Sequence, residues 1–143
     1  MTTISATAAI PAPIDQVWEV VGDWTGISKW HPFVEKSELG EGPPADTAGA
    51  TRVCTLADGA ALKETQVERS DQNFMYAYSI TDAPMPIRNH KGVVQLRPIT
   101  DTNQTFAEWT TEFEADGNVV EMIKGMFEAA IPAGLSALKS HFS

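Results

Sequence analysis

The chain is predicted to be an α+β protein in which a seven-stranded antiparallel sheet wraps around one long C-terminal helix. Three observations carry that expectation. Residues 2–10 and then residues 34–115 form a succession of short segments with strand-like alternation, punctuated by turn residues. Two short helical segments stand between the first strand and the second. The last quarter, residues 118–142, places Met122, Met126, Phe127, Ala130, Leu135, Leu138 and Phe142 at spacings of three and four, on one helical face. A lone long helix after many strands buries that face by lying across the sheet. A sheet curved around a helix tends to enclose a pocket as well as a core, so the function is expected to lie in what the pocket holds.

Taken in order, Ile4, Ala6, Ala8 and Ile10 alternate in phase and define a first strand, which Pro11-Ala12-Pro13 ends. Pro13 suits the first turn of a helix whose buried face is Ile14, Val17, Trp18 and Val21 and whose end is Gly22. A second short helix is expected over residues 26–31, closed by Pro32. Strands follow at residues 34–39, 50–56, 61–70, 74–80, 89–97 and 105–115. Asp58-Gly59 and Ser70-Asp71-Gln72-Asn73 are the hairpin signals between them. Pro132 inside the last helix is expected to kink it, and Gly134 removes side-chain volume, so together they leave room beneath the helix.

Composition narrows the function. The 143 residues suffice for one domain, residues 1–143, that buries a core without disulfides or metals. The 43 % hydrophobic and 20 % charged content is that of a globular protein. A net charge of −9 with no Lys/Arg cluster argues against a nucleic-acid partner, because phosphate binding draws on such clusters. Cys54 is the lone cysteine, and its place in an apolar strand points to inert packing. No segment approaches about twenty apolar residues and the first residues lack a basic, apolar leader, so a cytoplasmic protein without stable membrane association is expected. The three histidines are far apart, and no His-x-x-x-His, Cys-x-x-Cys or glycine-rich phosphate loop occurs, so neither a metal nor a cofactor is expected.

The order strand, two short helices, six strands, long helix resembles the START-like, or helix-grip, superfamily, also called SRPBCC, and most closely its bacterial polyketide cyclase/dehydrase-like members. The motifs that carry the resemblance are Pro11-Ala12-Pro13-Ile14-Asp15-Gln16-Val17-Trp18, Asp23-Trp24 with Trp30-His31-Pro32, Leu62-Lys63-Glu64, Trp109-Thr110-Thr111-Glu112-Phe113, and Gly134-Leu135 with Leu138-Lys139. They span essentially the whole chain. A more distant similarity to plant abscisic acid receptors, almost gapless from Glu64 through Arg97, implies an inner face for the sheet. It turns Leu62, Glu64 and Gln66 inward on one strand, Tyr78 and Ile80 on the next, and His90, Gly92, Val94 and Leu96 on the one after. Period-two alternation makes each set self-consistent and adds Trp109, Thr111 and Phe113, as well as Phe33, Glu35 and Ser37. The receptor lysine that meets the hormone's carboxylate aligns with Glu35, and a carboxylate there would repel such a ligand.

The resemblance implies a small hydrophobic or amphipathic ligand (a lipid, polyketide or aromatic metabolite) held by Leu62, Gln66, Tyr78, Ile80, Met85, Val94, Trp109, Met126 and Ala130, in a monomer or homodimer. The alternative it leaves open is a cyclase, dehydratase or isomerase. In that reading Glu64, His90, Glu35 and Arg52 are the acid, base and polarising groups, since some family cyclases use an inward arginine to polarise a carbonyl or phenolate. Two carboxylates facing one apolar cavity would push their titrations apart, as acid–base work requires. The bland alternative is that Glu35 lies in water and Glu64 pairs with Arg52. His31 and His141 are read as structural, and His90 as a ligand contact or a satisfied core histidine. Substitutions at Glu64 and His90 are expected to touch ligand binding more than folding.

Overall fold

The computed structural model describes all 143 residues, Met1–Ser143. Strand β1 (Thr2–Ile10) leads into helix α1 (Ile14–Val21) and a single 3₁₀ segment, Trp24–Lys29. Strands β2 (Val34–Leu39), β3 (Thr51–Leu56), β4 (Ala61–Ser70), β5 (Met75–Asp82), β6 (Arg88–Ile99) and β7 (Gln104–Glu114) follow, and helix α2 (Val120–His141) closes the chain. The seven strands form one antiparallel sheet in the order β1-β7-β6-β5-β4-β3-β2. This is the helix-grip architecture. Sequential hairpins build the sheet from β2 to β7, and β1 returns to pair with β7. No helix is long and apolar enough to cross a membrane.

The turns form where the sequence marks them. Gly59 takes a positive φ of 89°, which a side chain would resist, and Asp58 caps the turn by accepting the Ala60 N–H at 2.9 Å. The second short helix differs from expectation. It begins at Trp24, two residues early, and winds as 3₁₀, with Ser37 of β2 donating to the Thr25 carbonyl at 2.6 Å.

Helix α2 packs on β1 and β7 through Ile123, Ile131, Gly134, Leu135 and Leu138. The apolar stripe is therefore rotated from the one expected, because Ile123 and Ile131 satisfy the same periodicity as the methionines. Met122 (60 % exposed) and Met126 (44 %) fall outside the buried face. Gly134 marks the closest approach. A Cβ there would lie 2.6 Å from Cδ2 of His31 and 2.8 Å from Cζ3 of Trp109, both parts of rigid, packed rings. Gly134→Ala gains about 1 kcal/mol of helix propensity but must displace those rings, an overpacking cost of about 1–3 kcal/mol. We expect a net loss of roughly 1 kcal/mol in chemical denaturation. A gain would mean that the rings give way.

Candidate functional site

Between the inner face of the sheet and the N-terminal half of α2 lies a cavity of about 350 Å³. Its walls are built layer by layer. The 3₁₀ segment and the start of β2 contribute Ile27, His31, Phe33 and Val34. Strands β3 and β4 contribute Arg52, Cys54, Leu56, Leu62 and Glu64, and β5 with the following loop adds Tyr78, Ile80 and Met85. Trp109 of β7 forms the back, and Met126, Phe127 and residues 129–131 of α2 form the roof. Helix α2 approaches the sheet closely only over β1 and β7, so the gap opens over the opposite strands.

The polar end of the cavity is an ion pair. Arg52 and Glu64 are direct cross-strand partners on β3 and β4, so both side chains leave the same face of the sheet. Nε and Nη2 of Arg52 donate to Glu64 Oε1 at 2.8 and 2.7 Å, and Nη1 donates to the Trp24 carbonyl at 2.7 Å. The guanidinium lies 3.8 Å from the centre of the Trp24 ring, with Tyr78 at 5.6 Å and Tyr76 at 6.0 Å. Burial alone would pull the guanidinium's pKa down, but the charge of Glu64 outweighs it and holds the group above its ordinary value. Beside the pair, burial and Glu64 together push the Cys54 thiol up to about 12, which keeps it protonated and inert.

Tyr78 faces the cavity because its partner on β6 is Gly92. A Cβ on Gly92 would fall 2.3 Å from the phenol ring, so only glycine lets the ring lie across β6. The Tyr78 hydroxyl accepts the Trp109 Nε1–H at 2.9 Å, and its own proton has no protein acceptor. Burial, reinforced by Glu64, raises the pKa of this phenol well above the usual value, so it remains a donor.

The residues expected at the site divide into two groups. Arg52, Leu62, Glu64, Tyr78, Ile80, Met85, Trp109, Met126 and Ala130 border the cavity. Glu35, Gln66, His90 and Val94 do not. Glu35 is exposed because the β2–β3 register slips between Val34 and Lys36, and this bulge turns Val34 inward and Glu35 out to water. Gln66 does face inward, but beyond the cavity's end. There its amide donates to the Ala45 and Thr47 carbonyls and its oxygen accepts from Arg69, which fixes the loop before β3. Val94 lies in the core opposite Tyr76 and Trp109.

His90 is buried but fully occupied. The β5–β6 ladder ends at Tyr78–Gly92, and β6 bulges between Arg88 and Lys91 with Asn89 at a φ of 52°. The imidazole fills the resulting gap, where Nδ1 accepts the Ile80 N–H at 3.0 Å. The remaining ring proton is therefore on Nε2, which donates to Thr111 Oγ1 at 2.7 Å. Burial lowers its pKa to about 4. The sequence reading expected His90 on the cavity wall; it lies on the expected inner face, but within the sheet beside the cavity.

His31 is the wall residue that sequence reasoning set aside. Its Nδ1 accepts the Phe33 N–H at 3.1 Å, so Nε2 carries the proton and donates to the Ala130 carbonyl at 3.0 Å, tying the 3₁₀ segment to α2. Burial lowers its pKa to about 4 as well, partly offset by the bond to Ala130. Gly134 was the available signal, since a glycine on a buried helix face marks a bulky group opposite it.

A family model described as "Polyketide cyclase / dehydrase and lipid transport" matches residues 1–143. Among solved structures, the protein XoxI of Bacillus cereus is 27 % identical, with 99 % of this chain and 96 % of that chain covered and a TM-score of 0.89. A Thermobifida fusca protein is 30 % identical over 99 % and 93 % of the two chains, with a TM-score of 0.86. The Zhui aromatase/cyclase of a Streptomyces species is 21 % identical over 98 % and 92 %, with a TM-score of 0.82, a likeness of fold. No curated protein matches the chain.

Proposed function

The chain belongs to the polyketide cyclase/dehydrase and lipid transport family, and from that premise we propose that it binds a small hydrophobic or amphipathic molecule, of lipid, polyketide or aromatic type, between the sheet and α2. The observation that carries this reading is the cavity itself. At about 350 Å³ it falls within the range of ligand sites, and its walls are apolar apart from His31, Tyr78 and the Arg52–Glu64 pair. A core without a ligand to hold closes such a volume, because empty space forfeits the packing of its walls.

Binding is favoured over catalysis by how the polar groups are used. A cyclase or dehydratase needs an acid and a base that converge on one reacting atom. Of Glu64, His90, Glu35 and Arg52, only Glu64 and Arg52 border the cavity, and their strongest interaction is with each other.

The test is titration with a neutral apolar fluorophore, N-phenylnaphthylamine, alongside native mass spectrometry of the purified protein for a retained molecule. We expect saturable fluorescence enhancement in the native protein. Ala130→Leu, which projects an isobutyl group into the cavity from a half-buried roof position, should weaken binding at least about tenfold, since roughly 1.4 kcal/mol of lost contact suffices. Its melting temperature should hold or rise. Undiminished dye binding in this variant would place the site elsewhere.

A further inference from the structure

We propose that the cavity is selective for a neutral hydrophobe bearing a hydroxyl group, a phenol or an alcohol, seated between Glu64 and Tyr78, and that it rejects carboxylates. This rests on the ligand-binding reading above and names the chemistry of the occupant. His31 has both ring nitrogens engaged by backbone groups. The Arg52 guanidinium lies among the rings of Trp24, Tyr76 and Tyr78, and the Arg52 side chain is only 1 % exposed against 7 % for Glu64, so the carboxylate is the more open part of the pair. Glu64 spends Oε1 on Arg52, and Oε2 has no protein partner. The Tyr78 oxygen accepts from Trp109, which leaves its hydroxyl proton free.

Glu64 Oε2 as an acceptor and the Tyr78 hydroxyl as a donor therefore remain open at the same end of an apolar cavity. Glu64 and Tyr78 lie on neighbouring strands, with Glu64 paired to Ile80 and Tyr78 two residues before it, so they are diagonal neighbours on one face. A hydroxyl satisfies both, donating to Oε2 and accepting from the phenol. A ketone would satisfy the phenol alone. A hydrocarbon leaves both unpaired, and a carboxylate brings only acceptors and a like charge to an acceptor whose single cation is already neutralised.

Three probes of one shape decide the matter: naphthalene, naphthol and naphthoate, each titrated at neutral pH and followed by the quenching of tryptophan fluorescence and by calorimetry. We expect naphthol to bind at least about tenfold more tightly than either of the others, the smaller end of the effect of a hydrogen bond to a charged group. Glu64→Gln leaves Arg52 uncompensated, so the order of naphthol and naphthoate should invert. If that variant fails to fold, Tyr78→Phe serves instead, with naphthol weakened severalfold and naphthalene unchanged. Naphthalene binding as tightly as naphthol, or Tyr78→Phe leaving naphthol unaffected, overturns the hydroxyl assignment while the apolar site stands. If none of the probes binds, or all bind unchanged in Ala130→Leu, the cavity reading falls and this inference with it.

Discussion

Replacing Arg52 by methionine is expected to cost about 3–5 kcal/mol of stability, the usual penalty for stripping a buried charge of its partner. In a domain of this size that corresponds to a fall of roughly 10 °C in melting temperature. The reason lies in what remains. Arg52 supplies every hydrogen bond that the Glu64 carboxylate accepts, so its loss leaves a carboxylate at one end of an apolar cavity without that donor. The lost carbonyl contact to Trp24 also loosens the 3₁₀ segment that forms one wall. Arg52→Met combined with Glu64→Leu should recover most of the loss, because an apolar pair of similar volume pays neither desolvation nor unmet hydrogen bonds. Thermal denaturation of the single and double variants checks this. A single variant within about 1 kcal/mol of the native protein would show that water already solvates the pair through the cavity.

The sequence carried the expectation that Glu64 and His90 matter more to ligand than to folding, and the melting temperatures of Glu64→Gln and His90→Ala test it. Both residues are wired into the frame, Glu64 through Arg52 and His90 through Ile80 and Thr111. The sheet, its order of strands and the long helix were legible because alternation, turn residues and helical spacing are local signals that agree with one another. Most of the cavity wall was legible too, since the similarity to the abscisic acid receptors implied which side of the sheet is inner and period-two alternation then carried Leu62, Glu64, Tyr78, Ile80 and Trp109 to it. The pairing of Arg52 with Glu64 and the exposure of Glu35 were also read from the sequence, and the structure shows both.

What remained hidden depends on features with no local signature. The bulge in β2 is a one-residue slip that moves Glu35 from one face to the other. The gap that His90 fills exists because β6 leaves β5 after Gly92, a matter of sheet curvature rather than of residue type. The choice between Met122 and Ile123 for the buried helix face was ambiguous because both satisfy a 3.6-residue period, and only the position of the sheet decides. His31 reaches the cavity through contacts with residues about a hundred positions away, in α2.

The two buried histidines predict a second large effect, a steep loss of stability in mild acid. Each titrates at about 4 in the folded protein against 6.5 when free, in both cases chiefly because burial disfavours the charged ring. Between those values the unfolded chain holds a proton that the folded chain does not, so stability must rise with pH. The contribution is fully present above about pH 6.5 and is lost as the pH falls toward 4, at up to about 1.4 kcal/mol per unit for each histidine. Between pH 7 and 5 the pair should cost roughly 3–4 kcal/mol, in a window where carboxylates with ordinary pKa values remain largely ionised. Urea denaturation at stepped pH measures this directly, and the slope should become shallower in His31→Asn and in His90→Gln whatever their stability at neutral pH. A native protein whose stability is flat from pH 7 to 5 would show that both rings gain protons in place. The damage should also have a location. Protonation of Nδ1 turns an acceptor into a donor, so the Phe33 and Ile80 amides each come to face an N–H where they now face a lone pair. Both amides sit on the rim of the cavity, and hydrogen exchange at Phe33 and Ile80 should therefore accelerate before the β1–β7 ladder responds.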